Sequence, residues 1–179
     1  MIRAATPDDF AAILALNAQS VHFLSPLDAA RLSHLHAQAA YHRVIESNGT
    51  IAAFLLAFRE GADYDSPNYR WFAQRYAQFL YIDRVVVASA AQGTGVGIQL
   101  YKDIAAFAAA AGIASLTCEY DLDPPNPVSA RLHERFGFRE VGRQQVGVTK
   151  TKQVSLQLCT LEAARPDSGM IGASPGETA

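Results

Sequence analysis

Six consecutive residues, Gln92-Gly93-Thr94-Gly95-Val96-Gly97, carry the most specific chemical signal in the chain. They follow an apolar run of β formers and open a helical one. Glycine reaches positive φ without a steric cost and lets the backbone come close to a ligand. A helix that starts from such a turn presents unpaired N–H groups and the positive end of its dipole. Together these make a site for a phosphate or pyrophosphate, at about 1.5–3 kcal/mol for each charge-assisted hydrogen bond. The Walker loop needs a Lys that this turn lacks. The dinucleotide fingerprint needs GxGxxG in an early βα turn; here Ile98 stands where the third Gly belongs, and the turn lies mid-chain. A glycine turn that only reverses the chain is the bland alternative.

Other reactive side chains are scattered. Asp83-Arg84 interrupts the run Phe79–Val87, and Cys118 and Glu119 sit in the run Ala114–Tyr120. Cys118 has no base beside it in sequence, which argues against a nucleophile. His34 and His36, two apart on a helix, point about 200° apart and cannot share a ligand. His22 and His42 have no ligand partners nearby in sequence, so no metal is expected.

These residues need elements to position them. Met1–Ala4 reads as a short strand. Thr6-Pro7-Asp8-Asp9 has the cap, the proline and the acids of a helix start, and Phe10, Ile13, Leu14, Asn17 and Val21 then share one face. A second helix is expected from about Asp28 to Ala39. Asn48-Gly49 between two strand-like runs predicts a type I′ hairpin. A polar loop and a short aromatic stretch with Tyr64, Tyr69, Trp71, Phe72 and Tyr76 follow, as candidate pocket wall or core. Phe79–Val87 suits a central strand covered on both faces. After the glycine turn, Leu100, Tyr101, Ile104 and Phe107 recur at helical spacing up to Gly112. Ala114–Tyr120 is a strand, Asp121–Pro127 a loop and Val128–Phe136 a short helix; Phe138–Val148 and Gln153–Leu161 are the last two strands. Hairpins mixed with strand–helix–strand crossovers indicate an α/β or α+β domain with a mixed sheet.

The whole chain has 179 residues, 15 Lys+Arg and 17 Asp+Glu, hence a formal net charge of −2. That length suits one domain, expected over 1–162, with a disordered tail rich in small residues, Pro and Gly over 163–179. The charge balance argues against a nucleic-acid partner. No apolar run approaches the 18 residues of a membrane span. The start lacks the features of a signal peptide, so a cytoplasmic protein with two free buried thiols, Cys118 and Cys159, is expected.

Gln92–Gly97 resembles the Q/R-x-x-G-x-G/A signature of the GNAT superfamily of N-acetyltransferases. A second block agrees: Asn126, Ser129, Leu132, Gly137 and Phe138 match N-x-x-[AS]-x-x-L-Y-x-x-x-G-F, with His133 in place of the usual Tyr. The resemblance covers roughly residues 1–162 and is strongest over 79–138. It implies a mixed, splayed sheet of six or seven strands flanked by about four helices.

It also implies acetyl-CoA as acyl donor and an amine as acceptor, with direct transfer between them. By position, the amides of Gln92, Gly93, Thr94, Gly95, Val96 and Gly97 would hold the CoA pyrophosphate. The edge of Val85, Val86 and Val87 would pair with the pantetheine arm, and an amide near Val85–Val86 would act as oxyanion donor, worth about 3–4 kcal/mol. Asn126 and Ser129 would border that arm. A protonated amine needs a base. Strand alternation places Tyr81, Asp83 and Val85 on one face and Arg84 on the other, so Asp83 is the first candidate and Glu119 the second. Arg84 reads as structural or as a dimer contact. His133 as an imidazolium is a candidate acid for the leaving thiolate, with Tyr101 and Tyr120 as substitutes. The family leaves room for a homodimer. Two other readings of the same fold stay open: an acyl-CoA-binding or sensing domain without turnover, and an interaction protein that has lost the ligand.

Overall fold

The computed structural model describes residues 1–20, 24–147 and 151–161. The expected tail over 163–179, Val21, His22 and the end of the predicted strand at Val148 lie outside the described residues.

The chain alternates hairpins and crossovers. Strand β1 (Ile2–Ala4) precedes a 3-10 turn (Pro7–Asp9) and helix α1 (Phe10–Ala18). Asp9 anchors this start: its carboxylate accepts from the Thr6 N–H at 2.8 Å and from both Arg3 Nη atoms at 2.7 and 2.8 Å. Helix α2 (Ala29–Gln38) is capped by Asp28, which accepts from the Arg31 N–H at 2.7 Å. Strands β2 (Tyr41–Ser47) and β3 (Thr50–Arg59) form the predicted hairpin, with φ of 51° at Asn48 and 73° at Gly49. The aromatic stretch is a helix, α3 (Pro67–Ala73), opened by Ser66 and Pro67. Strand β4 (Leu80–Val87), helix α4 (Val96–Ala110) and strand β5 (Ser115–Asp123) make a parallel crossover unit, so β5 extends three residues into the predicted loop. Helix α5 (Pro127–Arg135) leads to the antiparallel pair β6 (Arg139–Val146) and β7 (Lys152–Thr160).

The seven strands form one sheet in the order β1-β2-β3-β4-β5-β7-β6. Its two faces are covered differently. Ile13 and Leu16 of α1, Leu32 and Leu35 of α2, and Tyr69 and Phe72 of α3 pack on one face. Leu100, Tyr101, Ile104 and Ala108 of α4 pack on the other, with Leu132 and Phe136 of the α5 region beside them.

The sheet parts at its centre. Strands β4 and β5 pair only at Leu80–Leu116 and Tyr81–Thr117. Beyond those two pairs β4 continues to Val87 with β3 on one side, and β5 continues to Asp123 with β7 on the other. Their facing edges, 82–87 and 118–123, therefore border an open cleft.

Candidate active site in the cleft between β4 and β5

One extra residue shapes the wall of this cleft. Arg84 pairs with Leu56 and Ile82 with Ala57, so Asp83 is a β-bulge with no partner of its own. A bulge resets the alternation of side chains along a strand. Before it, Tyr81 faces α2 and α3 and Ile82 faces α4; after it, Val86 joins the α1 side while Val85 and Val87 pack on the α4 side. The expected grouping of Tyr81, Asp83 and Val85 on one face is thus corrected. Arg84 comes to the same side as Asp83, and its Nε donates to Asp83 Oδ2 at 2.9 Å.

Arg84 is structural, as one of its two expected readings had it. It is 4% exposed, and it donates to Asn17 Oδ1 (2.8 Å), Ser25 O (2.9 Å) and Ser25 Oγ (2.7 Å). The end of α1 and the chain after it are thereby pinned to the bulge.

Two carboxyl groups face the cleft. Asp83, 8% exposed at its side chain, accepts from Arg84 and, at Oδ1, from the Tyr64 hydroxyl at 2.5 Å. Burial raises its pKa, against the pull of the Arg84 guanidinium. Glu119 on β5 accepts from the Tyr81 hydroxyl at 2.8 Å, and the Asn68 amide nearby also favours its charged form. Asn68 is itself held by Gln144 Nε2 at 2.5 Å. Burial pushes the Glu119 carboxyl up to about 8, and the negative charge of Asp83 adds to the shift.

Cavities open on both sides of the sheet at this point. The larger, about 510 Å³, lies on the α2–α3 side and is lined by Arg31, Tyr64, Asn68, Asp83, Arg84 and Glu119 among others. The smaller, about 180 Å³, lies towards α4 and α5, with Val85, Tyr101, Cys118, Asn126, Ser129 and His133 in its wall. Asp83 and Glu119 border both. Of the aromatic stretch, Tyr64 reaches the larger cavity, whereas Tyr69 and Phe72 belong to the core.

At the end of β4 the glycine turn takes the shape its sequence implies. Gly93 and Gly95 have φ of 76° and 86°, and Gly95 is the N-cap of α4. A Cβ at either would meet nothing within 4 Å, so the demand there is on backbone conformation. The first helical bond runs from the Gln99 N–H to Gly95 O at 3.0 Å, which leaves the N–H groups of Val96, Gly97 and Ile98 without intrahelical acceptors. Gln92 and Thr94 use their side chains locally, on Val87 O (3.4 Å) and Ala91 O (2.7 Å). The Ala88 N–H donates to Ala52 O on β3 at 2.8 Å. Alternation along the strand then turns the backbone of Val86 to β3 and the N–H groups of Val85 and Val87 to the open edge.

The second block sits across the cleft. Asn126 caps α5, with Oδ1 accepting from the Ser129 N–H at 3.1 Å. His133 is 3% exposed. Its Nε2 lies 2.7 Å from the Tyr101 hydroxyl and its Nδ1 3.4 Å from Ser129 Oγ, and Tyr120 stacks on the ring. Burial pushes its pKa down to about 4. The imidazolium expected as an acid is therefore not the form present at neutral pH.

Cys118 is buried and its thiol is raised well above its usual range by burial. His36 and His42 meet Nδ1 to Nδ1 at 2.8 Å in the α2–β2 contact, a pairing hidden from the sequence because it spans a helix end and a strand. Among the described residues no three His, Cys, Asp or Glu side chains are grouped to hold a metal, and no helix is long and apolar enough to cross a membrane.

The glycine turn, the parted strands and the block at Asn126–Phe138 all fall within residues 9–138, and that span matches the model of the Acetyltransferase (GNAT) family. The chain belongs to that family. No curated protein matches the chain. Solved structures do resemble it. An N-acetyltransferase from Staphylococcus aureus Mu50 is 23% identical, with a TM-score of 0.70 over 90% of this chain and 98% of that one. The acetyltransferase yncA of Salmonella typhimurium, solved with its cofactor acetyl-CoA, is 24% identical, with a TM-score of 0.68 over 94% and 98%. Naa20 of Chaetomium thermophilum, in complex with a bisubstrate analogue, is 17% identical, with a TM-score of 0.71 over 93% of both chains. At these identities the likeness is one of fold. The seven-stranded open sheet flanked by five helices is the GNAT fold.

Proposed function

We propose that this GNAT protein is an N-acetyltransferase that moves an acetyl group directly from acetyl-CoA to the amine of a small acceptor. One observation carries the reading: the cleft has a donor-rich helix start at one end and two carboxyl groups, the buried side chain of Asp83 and the half-buried Glu119, where its two cavities meet. The N–H groups of Val96, Gly97 and Ile98, with the turn from Gln92 to Gly95, suit the pyrophosphate of CoA. The free edge of Val85–Val87 suits the pantetheine arm, which would add to β4 as a strand does. Asn126 and Ser129 border the same path.

The chemistry then runs as follows. The acceptor arrives as an ammonium in the larger cavity and gives one proton to a carboxylate. Its nitrogen attacks the thioester carbonyl carbon, and the oxygen that becomes negative is met by the Val85 N–H. The C–S bond breaks as the nitrogen loses its second proton, the CoA thiolate takes up that proton, and the amide and the CoA thiol are released. Between the two candidate bases Glu119 is preferred. Both oxygens of Asp83 are already engaged, by Arg84 and Tyr64, whereas Glu119 has a pKa near 8 and gives up its proton close to working pH. Tyr101 and His133 offer a neutral hydrogen-bonded pair beside the thiolate's side of the cleft.

The test uses thermal unfolding and CoA release together. Acetyl-CoA at about 100 times its Kd should stabilise the protein by roughly 2.7 kcal/mol, a Tm rise of several degrees. Gly95→Glu puts a carboxylate where the pyrophosphate would lie, and the rise should vanish in a protein that still unfolds cooperatively. CoA release on adding amines completes the test. A stable, CoA-binding protein that releases none would favour a sensor over an enzyme.

A further inference from the structure

The larger cavity is taken here as the acceptor pocket, a premise that rests on the transferase reading. Its volume, about 510 Å³, suits one small molecule. Its charges come in pairs: Arg84 with Asp83, Lys152 with Asp121 at 2.7 Å, and Arg31 with Asp65. Glu119 is the carboxyl of this wall that none of these three pairs includes. Such a wall has a place for one ammonium. It has no surplus of negative charge to gather a polyamine or another polycation.

The cations of the wall are not equally committed. Arg84 is buried and makes four hydrogen bonds among the described residues. Arg31 stands at the mouth with its side chain 36% exposed. Its Nη2 donates to Asp65, itself 66% exposed, and among the described residues its Nε and Nη1 donate to no acceptor. A pair that exposed stabilises by about 1 kcal/mol at most, so an incoming anion competes with Asp65 readily. The Arg31 guanidinium lies over the Tyr64 ring, 5.5 Å from its centroid. The hydroxyl of that ring donates to Asp83. One tyrosine ring thus separates the available guanidinium from Asp83. An α-amino acid with a hydrogen bond at each end spans about 8–9 Å between partner atoms, and Arg31 and Glu119 line one cavity of about 510 Å³ that has room for such a molecule.

We propose that the acceptor is a free amino acid, its α-amino group directed to Glu119 and its carboxylate held by Arg31. A planar guanidinium is the donor best matched to a carboxylate. Leu24, Val146 and Val154 line the same cavity and suit an apolar side chain.

The experiment compares apolar L-amino acids, their carboxamides, the amines left when the carboxylate is removed, spermidine, and a short peptide with a free N-terminus. CoA release is measured for the wild type and for Arg31→Met. The expected result is a kcat/KM for leucine or methionine at least tenfold above that for the matching amine or carboxamide. In Arg31→Met the amino-acid KM should rise roughly ten- to a hundredfold, with kcat and the KM for acetyl-CoA little changed and the KM for simple amines unmoved. Faster turnover of spermidine, the peptide or the carboxamides would overturn the proposal and leave the transferase reading standing. So would an Arg31→Met variant that loses activity equally on all acceptors. No CoA release with any amine, from protein that binds acetyl-CoA, would overturn both.

Discussion

Glu119 and Asp83 are chemically alike and held differently, and the difference decides their roles. Arg84 supplies Asp83 with a full counter-charge at 2.9 Å, while among the described residues the polar groups beside Glu119 are neutral, the Tyr81 hydroxyl and the Asn68 amide. A carboxyl given dipoles but no cation in a buried site stays protonated to higher pH. As a base it must first lose that proton, so kcat/KM should rise with pH through about 8 and level above it. Glu119→Gln should lower kcat by roughly 10²–10⁴-fold and remove that inflection, with the KM for acetyl-CoA nearly unchanged. A pH–rate profile of the variant that keeps its step near 8 would move the base elsewhere. Both carboxylates were visible in the sequence as candidates. Their ranking was not, because it depends on Arg84, Tyr64 and Asn68, which come from three different elements. His133 was visible too, but not its burial against Tyr101 and Tyr120, and it is the burial that keeps the ring neutral.

At the scale of elements, the bulge at Asp83 does two jobs. It turns Asp83 and Arg84 to one side, and it lets the Arg84 guanidinium clasp Asn17 and Ser25. Arg84→Met should therefore cost about 3–5 kcal/mol, because Asp83 is left as an uncompensated buried charge. Asp83→Asn/Arg84→Met should recover a good part of that loss. Denaturant unfolding of the two variants and the wild type measures both; a double variant no better than Arg84→Met alone would show that the helix anchor, and not the charge, dominates. Most elements were legible in advance. The helix start at Thr6–Asp9, the Asn48-Gly49 hairpin and the β–glycine turn–α4 unit each announce themselves through local chemistry. The bulge did not, since a strand that is apolar on both faces has no alternation in its sequence for an extra residue to break. Helix α3 was hidden for another reason: its apolar face is aromatic, short and continuous with a polar loop, and tertiary packing on β3 and β4 makes it helical.

For the molecule as a whole, the cleft proposed as the active site also sets how stability changes with pH. Glu119 binds its proton more tightly folded than unfolded, with a pKa near 8 against an ordinary value of 4.5. Between those values the native state holds a proton that the unfolded chain has lost, so this group's stabilising effect fades as pH rises towards 8. Asp83, also raised, acts in the same direction. His42 and His133 act oppositely. Burial holds both near 4, below an ordinary value of 6.5, so their effect is fully present above pH 6.5 and is lost as pH falls towards 4. The two trends meet near pH 6.5. Above it the histidines no longer titrate in either state, and Glu119 carries the slope at about −1.4 kcal/mol per pH unit. Stability measured by denaturant should thus peak around pH 6.5 and fall by roughly 2 kcal/mol by pH 8. Glu119→Gln cannot ionise at that position, so its decline over that interval should be much shallower than that of the wild type. A variant that declines as steeply as the wild type would mean that Glu119 is already ionised at neutral pH, and the activity profile should then lose its inflection near 8 as well.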